Sequence, residues 1–216
     1  MSKPKVAVLI SGSGTNLQAL LDAASAPDYP AQIKLVISNR PGAYGLVRAQ
    51  NAGVETLVID HRHFASRADF DAAMDQNLKA RDIEIICLAG FMRLLTPEFV
   101  LAWSGRMLNI HPSLLPAFKG LHVQQRAIDA GVRFSGCTVH FVTPEMDEGP
   151  IVVQAVVPIL GDDSADRLAA RIQVQEHRAY PLALRLLAEG RVRIDGPRTH
   201  IADAQAPGDG MLNPWG

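Results

Sequence analysis

The residues of this chain best suited to chemistry lie in Asn109-Ile110-His111-Pro112-Ser113-Leu114-Leu115-Pro116, with an acidic stretch around Asp147 further on. The largely apolar run from Met107 to Ile110 reads as the end of a buried strand, released into a proline-stiffened turn. Alternate residues of a strand share a face, so Asn109 and His111 can point at one target. An amide donor and an imidazole can stabilise an oxyanion, and a carboxylate can orient the imidazole and favour its charged form. Together they are a kit for acyl transfer. Each residue alone is more often structural. The spacing at a strand end beside two prolines shifts the reading toward function, because open α/β sheets place ligands at the C-terminal ends of their parallel strands. Leu115-Pro116 is a candidate for a cis bond in this turn. Three acids, Glu145, Asp147 and Glu148, fall in Thr143-Pro144-Glu145-Met146-Asp147-Glu148-Gly149-Pro150, a sequence with strong turn chemistry. Nothing local singles out the acid that reaches His111.

A second candidate is the glycine-rich turn Ser11-Gly12-Ser13-Gly14-Thr15-Asn16. It follows an apolar run and precedes Leu17, Leu20 and Leu21 at helical spacing, which predicts strand, turn and helix. Glycines allow close backbone approach, and a helix start offers unpaired N–H groups to an anion. No Lys follows in the manner of a nucleotide-cradling loop. Leu17 occupies the third-glycine position of the dinucleotide fingerprint, and the second strand ends in Ser38-Asn39-Arg40 without a ribose-binding acid. A monophosphate site is the better reading, against a merely tight turn. His61 and His63 lack a third ligand, so a surface loop is preferred to a metal site. Gln175-Glu176-His177 lies mid-helix and could face solvent or a ligand.

The elements that must position these groups follow from periodicity. Strands are predicted at 5–10, 33–37, 54–59 and 83–88, alternating with helices at 44–51 and 67–80. That rhythm predicts a Rossmann-like, doubly wound, mostly parallel α/β sheet. After the Asn-Ile-His segment a helix is expected at 122–130. Strands at 134–142 and 151–159, joined by the acidic turn, predict an antiparallel excursion on the sheet edge. The longest helix spans 164–188, opened by capping side chains at Asp162-Asp163-Ser164 and kinked or divided by Pro181. Residues 1–195 read as one domain, and the Gly-, Pro- and Asp-rich stretch 196–216 as a loosely ordered tail.

Composition sets outer bounds. The 216 residues are 48% hydrophobic and 20% charged with a formal net charge of −1, which is ordinary for a globular protein with an ample core. This balance gives no electrostatic case for nucleic acid or membrane partners. Cys87 and Cys137 sit in apolar runs and read as small buried hydrophobes. No signal-peptide pattern and no bilayer-length apolar run is present, so a cytoplasmic protein is expected.

Taken together, the segments resemble the phosphoribosylglycinamide formyltransferases, folate-dependent enzymes of purine biosynthesis. The resemblance rests on Ile10-Ser11-Gly12-Ser13-Gly14-Thr15-Asn16-Leu17-Gln18-Ala19, Leu88-Ala89-Gly90-Phe91-Met92-Arg93 and Leu108 to Pro116. Val139-His140-Phe141-Val142-Thr143 and Gln173-Val174-Gln175-Glu176-His177 complete it. It implies formyl transfer from 10-formyltetrahydrofolate, as co-substrate and without metal, to the amine of glycinamide ribonucleotide. The 10-formyltetrahydrofolate deformylases are the alternative. The resemblance assigns catalysis to Asn109, His111 and Asp147, with the aspartate favouring the charged imidazole. It assigns glycinamide ribonucleotide to Gly14, Thr15, Asn16, Gln173, Val174, Gln175 and Glu176. Folate falls to Arg67, Met92, Arg93, Leu94, Leu95, Asn109, Thr143, Pro144, Glu145, Met146 and Asp147. His140 and Thr138 are supporting candidates. Against the family pattern, Ser13 and Thr15 replace Asn and Ser with donor capacity kept, and Gln124 stands where relatives often carry His. A monomer or a homodimer fits.

Overall fold

A computed structural model describes residues 3–204, Gly208 and Asn213. The first half alternates strand and helix: β1 (Lys5–Ile10), α1 (Thr15–Ala24), β2 (Gln32–Ser38), α2 (Tyr44–Asn51) and β3 (Glu55–Val58), then α3 (Arg67–Lys79) and β4 (Ile85–Leu88). A short α4 (Pro97–Ala102) leads into β5 (Met107–His111), and α5 (Val123–Asp129) precedes β6 (Phe134–Phe141) and β7 (Ile151–Pro158). The long α6 (Ala165–Ala188) and a hairpin, β8 (Val192–Asp195) with β9 (Arg198–Ile201), follow.

Seven strands form one sheet in the order β3-β2-β1-β4-β5-β6-β7. The first five are parallel, and β6 and β7 run antiparallel at one edge. Strand order reverses between β1 and β4, the switch point where crossover helices leave to opposite faces and open a crevice. Helices α1, α2 and α6 bury Leu17, Leu20, Leu46 and Ile172 against one face of the sheet. Helices α3 and α4 bury Phe70, Met74, Leu78, Phe99 and Trp103 against the other. The central strands are therefore apolar on both faces, and only their C-terminal ends can carry polar chemistry without burying unpaired groups.

Three local outcomes differ from the periodicity. Helix α4 was not predicted, although Thr96 caps Phe99 N–H and Pro97 and Glu98 occupy its first turn. Helix α6 runs through Pro181 as one 24-residue element rather than dividing. Burial of Ala179, Tyr180, Ala183 and Leu184 around the proline outweighs the one hydrogen bond its ring removes. The ordered chain also continues past residue 195: β8 and β9 pair antiparallel around Gly196-Pro197, and Thr199 Oγ1 donates to the Ile151 carbonyl. The rest of the expected tail, 205–207, 209–212 and 214–216, lies outside the described residues.

Candidate active site

Strand β5 delivers the amide and the imidazole. Leu108 and Ile110 pack into the core on the α1–α6 face, and Met107 packs on the other. Alternation therefore sends Asn109 and His111 out together on the Met107 side. Beyond β5 the Leu115–Pro116 bond is cis, and Thr138 Oγ1 accepts the Leu115 N–H at 3.1 Å while donating to the Ser113 carbonyl at 2.7 Å. Thr138 thus holds the proline turn from β6.

Hydrogen bonds fix the two imidazoles. His111 Nε2 lies 3.0 Å from the Phe118 carbonyl, and His140 Nδ1 lies 2.9 Å from the Phe141 carbonyl. A carbonyl only accepts, so each of these nitrogens carries the proton. His140 Nε2 is left to accept from Asn109 Nδ2 at 3.2 Å, which orients the Asn109 amide and leaves its second N–H for a ligand. Burial pushes the His140 pKa below its usual 6.5, keeping it in the neutral form that this bond requires. His111 Nδ1 faces Asp147 Oδ2 at 3.6 Å, both side chains being largely buried. The approach joins residues 36 positions apart in sequence and selects Asp147 from the three acids of its loop. The Asp147 carboxylate is held by the Gly120 N–H at 2.9 Å, and its backbone sits in the left-handed region at φ 57°. Glu145 is exposed, and Glu148 turns away to pair with Lys119 at 2.6 Å.

The glycine-rich turn lies beside this cluster. Gly14 has φ 70°, and a Cβ there would stand 2.7 Å from the Gly45 Cα, so both its conformation and the approach of α2 demand glycine. Gly45 N–H donates to the Gly12 carbonyl at 3.0 Å and Arg48 Nε to the Ser13 carbonyl at 2.8 Å. Helix α6 reaches the turn from above: Gln173 Nε2 donates to Thr15 Oγ1 at 3.0 Å, and Asn16 Nδ2 to Glu176 Oε2 at 2.9 Å. Burial raises the Glu176 pKa, opposed by the Asn16 hydrogen bond and by the charge of His111. That coupling places the α6 carboxylate near the imidazole. Asn16 Oδ1 is buried with no partner among the described residues, an acceptor that suits a ligand donor. A cavity of about 290 Å³ joins Ser11–Asn16 to Ala89, Gly90, Met92 and Arg40.

Not every predicted residue joins the site by its side chain. Val174 is exposed and Gln175 pairs with Arg178, so on α6 only Gln173 and Glu176 reach the turn. Met92, Arg93 and Leu94 are exposed, whereas Leu95 packs against the core. Arg67 and Arg93 both sit close enough to the buried Asp71 to oppose the rise that burial gives its pKa. Thr143 Oγ1 donates to the Glu145 carbonyl, Pro144 and Met146 are exposed, and Gly149 lies too close to the Phe141 carbonyl to admit a β-carbon. A second cleft of similar volume lies between Thr143–Glu148 and the β8–β9 turn; none of Asn109, His111 and Asp147 lines it. Ser11, which opens the predicted turn but was given no role of its own, belongs to the surroundings of the site with Asn39 and Asp71, whose roles the sequence did not signal. His61 and His63 gain no third ligand, and no group of three or more metal-ligating side chains occurs among the described residues.

The formyl transferase family model matches residues 4–184. The chain belongs to the formyl transferase family. Within it, the chain belongs with the phosphoribosylglycinamide formyltransferases. One from Haemophilus influenzae is 45% identical over 209 residues, covering 97% of this chain and 99% of that protein. The crystal structure of glycinamide ribonucleotide transformylase 1 from Symbiobacterium toebii superposes with a TM-score of 0.91 at 51% identity, covering 94% of this chain and 95% of that one. The trifunctional purine biosynthetic protein adenosine-3 of Drosophila melanogaster is 56% identical over 194 residues, and this formyl transferase spans only 14% of its length.

Proposed function

We propose that this formyl transferase moves the formyl group of 10-formyltetrahydrofolate to the amine of glycinamide ribonucleotide, releasing tetrahydrofolate, as a step of purine biosynthesis. The observation that carries the reading is the approach of Asp147 to His111 Nδ1 at 3.6 Å, beside Asn109 and next to the glycine-rich turn. The names of the relatives supply the acceptor and the formyl group transferred, and the family resemblance supplies 10-formyltetrahydrofolate as its donor. The turn at Gly14, Thr15 and Asn16, with Gln173 and Glu176, would hold the ribonucleotide, its phosphate on the α1 N–H groups. Arg67, Met92 to Leu95 and Thr143 to Asp147 would line the folate. All of these groups come from one domain of one chain, so a monomer or a homodimer serves equally, acting in the cytoplasm.

In the reaction, the amine lone pair forms the new C–N bond and the carbonyl π pair moves onto oxygen. The free Asn109 N–H and charged His111 stabilise that oxyanion. Nε2 of His111 is committed to the Phe118 carbonyl, so Nδ1–H is the proton to share with substrate. The Asp147 carboxylate, 3.6 Å from Nδ1, would orient the ring for this transfer. Collapse restores the carbonyl as the C–N10 bond breaks, and the proton lost by the amine ends on N10. No metal enters any of these steps.

The test follows the fate of a ¹³C-labelled formyl group by NMR, with and without glycinamide ribonucleotide. The expected result is label in the formamide of the ribonucleotide, and only when that substrate is present. Label appearing as free formate in its absence would overturn the proposal in favour of a deformylase.

A further inference from the structure

The backbone between Ala89 and Thr96, which the proposed function gives to folate, makes few hydrogen bonds, although Phe91 and Leu95 pack against the core. It lies between β4 and α4 without secondary-structure pairing. Past the Ala89 N–H, bound to the Leu9 carbonyl, two backbone N–H groups of this stretch find acceptors among the described residues. Thr96 N–H donates to Asp71 Oδ2 on α3 at 2.6 Å. Met92 N–H donates to Ser11 Oγ at 2.8 Å. The second acceptor is the first residue of the glycine-rich turn, 81 positions away, so the anchor of one proposed substrate segment is part of the other.

Ser11 is itself tightly fixed. It is 5% exposed, and its hydroxyl donates to Asn39 Oδ1 at 2.6 Å. Asn39, 1% exposed at the end of β2, has Nδ2 3.2 Å from His61 Nδ1. A serine hydroxyl has one proton. Given to Asn39, that proton directs the oxygen lone pairs at Met92.

We infer that Ser11 is a positioning residue that holds the folate-lining segment and the phosphate-binding turn in one register, so that occupation of either site steadies the other. The inference rests on the proposed assignment of those two segments. Its chemistry is that of a single buried acceptor. Loss of that acceptor leaves the Met92 N–H unpaired and Thr96 N–H to Asp71 as the one remaining backbone N–H anchor of the segment among the described residues, beside the packing of Phe91 and Leu95.

The test is Ser11→Ala, read by steady-state kinetics and by amide hydrogen exchange. For the variant, KM is expected to rise about tenfold for both 10-formyltetrahydrofolate and glycinamide ribonucleotide, while kcat falls less than KM rises. In the wild type, glycinamide ribonucleotide alone should slow exchange of the 90–95 segment, and in Ser11→Ala that protection should vanish. Asn39→Ala, which keeps the hydroxyl but frees it to rotate, should shift both KM values the same way by less, and it serves if Ser11→Ala does not fold. A rise in one KM only, or protection of 90–95 that survives in the variants, would overturn the inference. Wild-type protein that binds neither substrate would instead overturn the proposed function.

Discussion

The glycine-rich turn and the His111 cluster lie next to each other but are built in opposite ways. The turn is six consecutive residues, and its chemistry is backbone: left-handed Gly14, the close Gly14–Gly45 contact, and the free N–H groups of α1. The His111 cluster is side-chain chemistry gathered from four places: β5, the Phe118–Gly120 turn, β6, and the Asp147 loop. Sequence order favours the first, since the turn joins consecutive β1 and α1 and is closed by the next helix, α2. The second exists only when the antiparallel edge β6–β7 brings residue 147 back to residue 111. The backbone of the turn thus depends on local geometry, whereas the catalytic cluster, like the α6 side chains that reach the turn, depends on topology.

The contrast can be broken at either end. The largest effect is expected at the cluster. His111→Ala should lower kcat by ~10²–10³, the usual loss on removing an oxyanion donor. Glycinamide ribonucleotide binding, measured calorimetrically, should change little because the turn is untouched. A comparable loss of binding would erase the separation of the two regions.

At the turn the pattern should invert. Gly14→Ala forces a β-carbon into the left-handed region, costing about 1–2 kcal/mol, and into contact with Gly45 Cα. Differential scanning calorimetry should show a fall in Tm of about 2–8 °C, and kinetics a raised KM for the ribonucleotide with a smaller change in kcat. An unchanged KM would mean that the turn does not meet that substrate.

The smallest effect sharpens the contact between the regions. Burial raises the Glu176 pKa above 4.5 in the folded protein. Folding therefore takes up a proton there, and stability falls as pH rises from 4.5 through the raised folded value. Glu176→Gln should remove this slope, so the stability of the variant relative to wild type should grow across that window and level off above it. Parallel denaturation midpoints at every pH would show that Glu176 carries no such penalty.

The sequence reached the fold and the turn further than it reached the cluster, for the same reason. Apolar runs at β1, β2 and β4 and the helical spacing of Leu17, Leu20 and Leu21 are local signals, and so were legible. Helix α4 was also written locally, in Thr96-Pro97-Glu98, but six residues are too few for periodicity to appear. The β8–β9 hairpin was masked by the glycine and proline that make its turn. Asn109 and His111 could be paired from strand alternation. Asp147 could be preferred to Glu145 or Glu148 only through family resemblance, because a 36-residue separation leaves no local trace. Ser11 was seen as part of the turn but not as an anchor, and Asn39 and Asp71 went unseen: each acts through hydrogen bonds to distant partners, which leave no local trace.

The most direct test of catalysis by topology is a double-mutant cycle on His111 and Asp147, with kcat measured for His111→Ala, Asp147→Asn and the pair. If the two act as one unit, the double variant should be no slower than His111→Ala alone. Losses that multiply, each residue contributing its full factor in the absence of the other, would contradict the claim that the β6–β7 return makes the site by bringing Asp147 to His111.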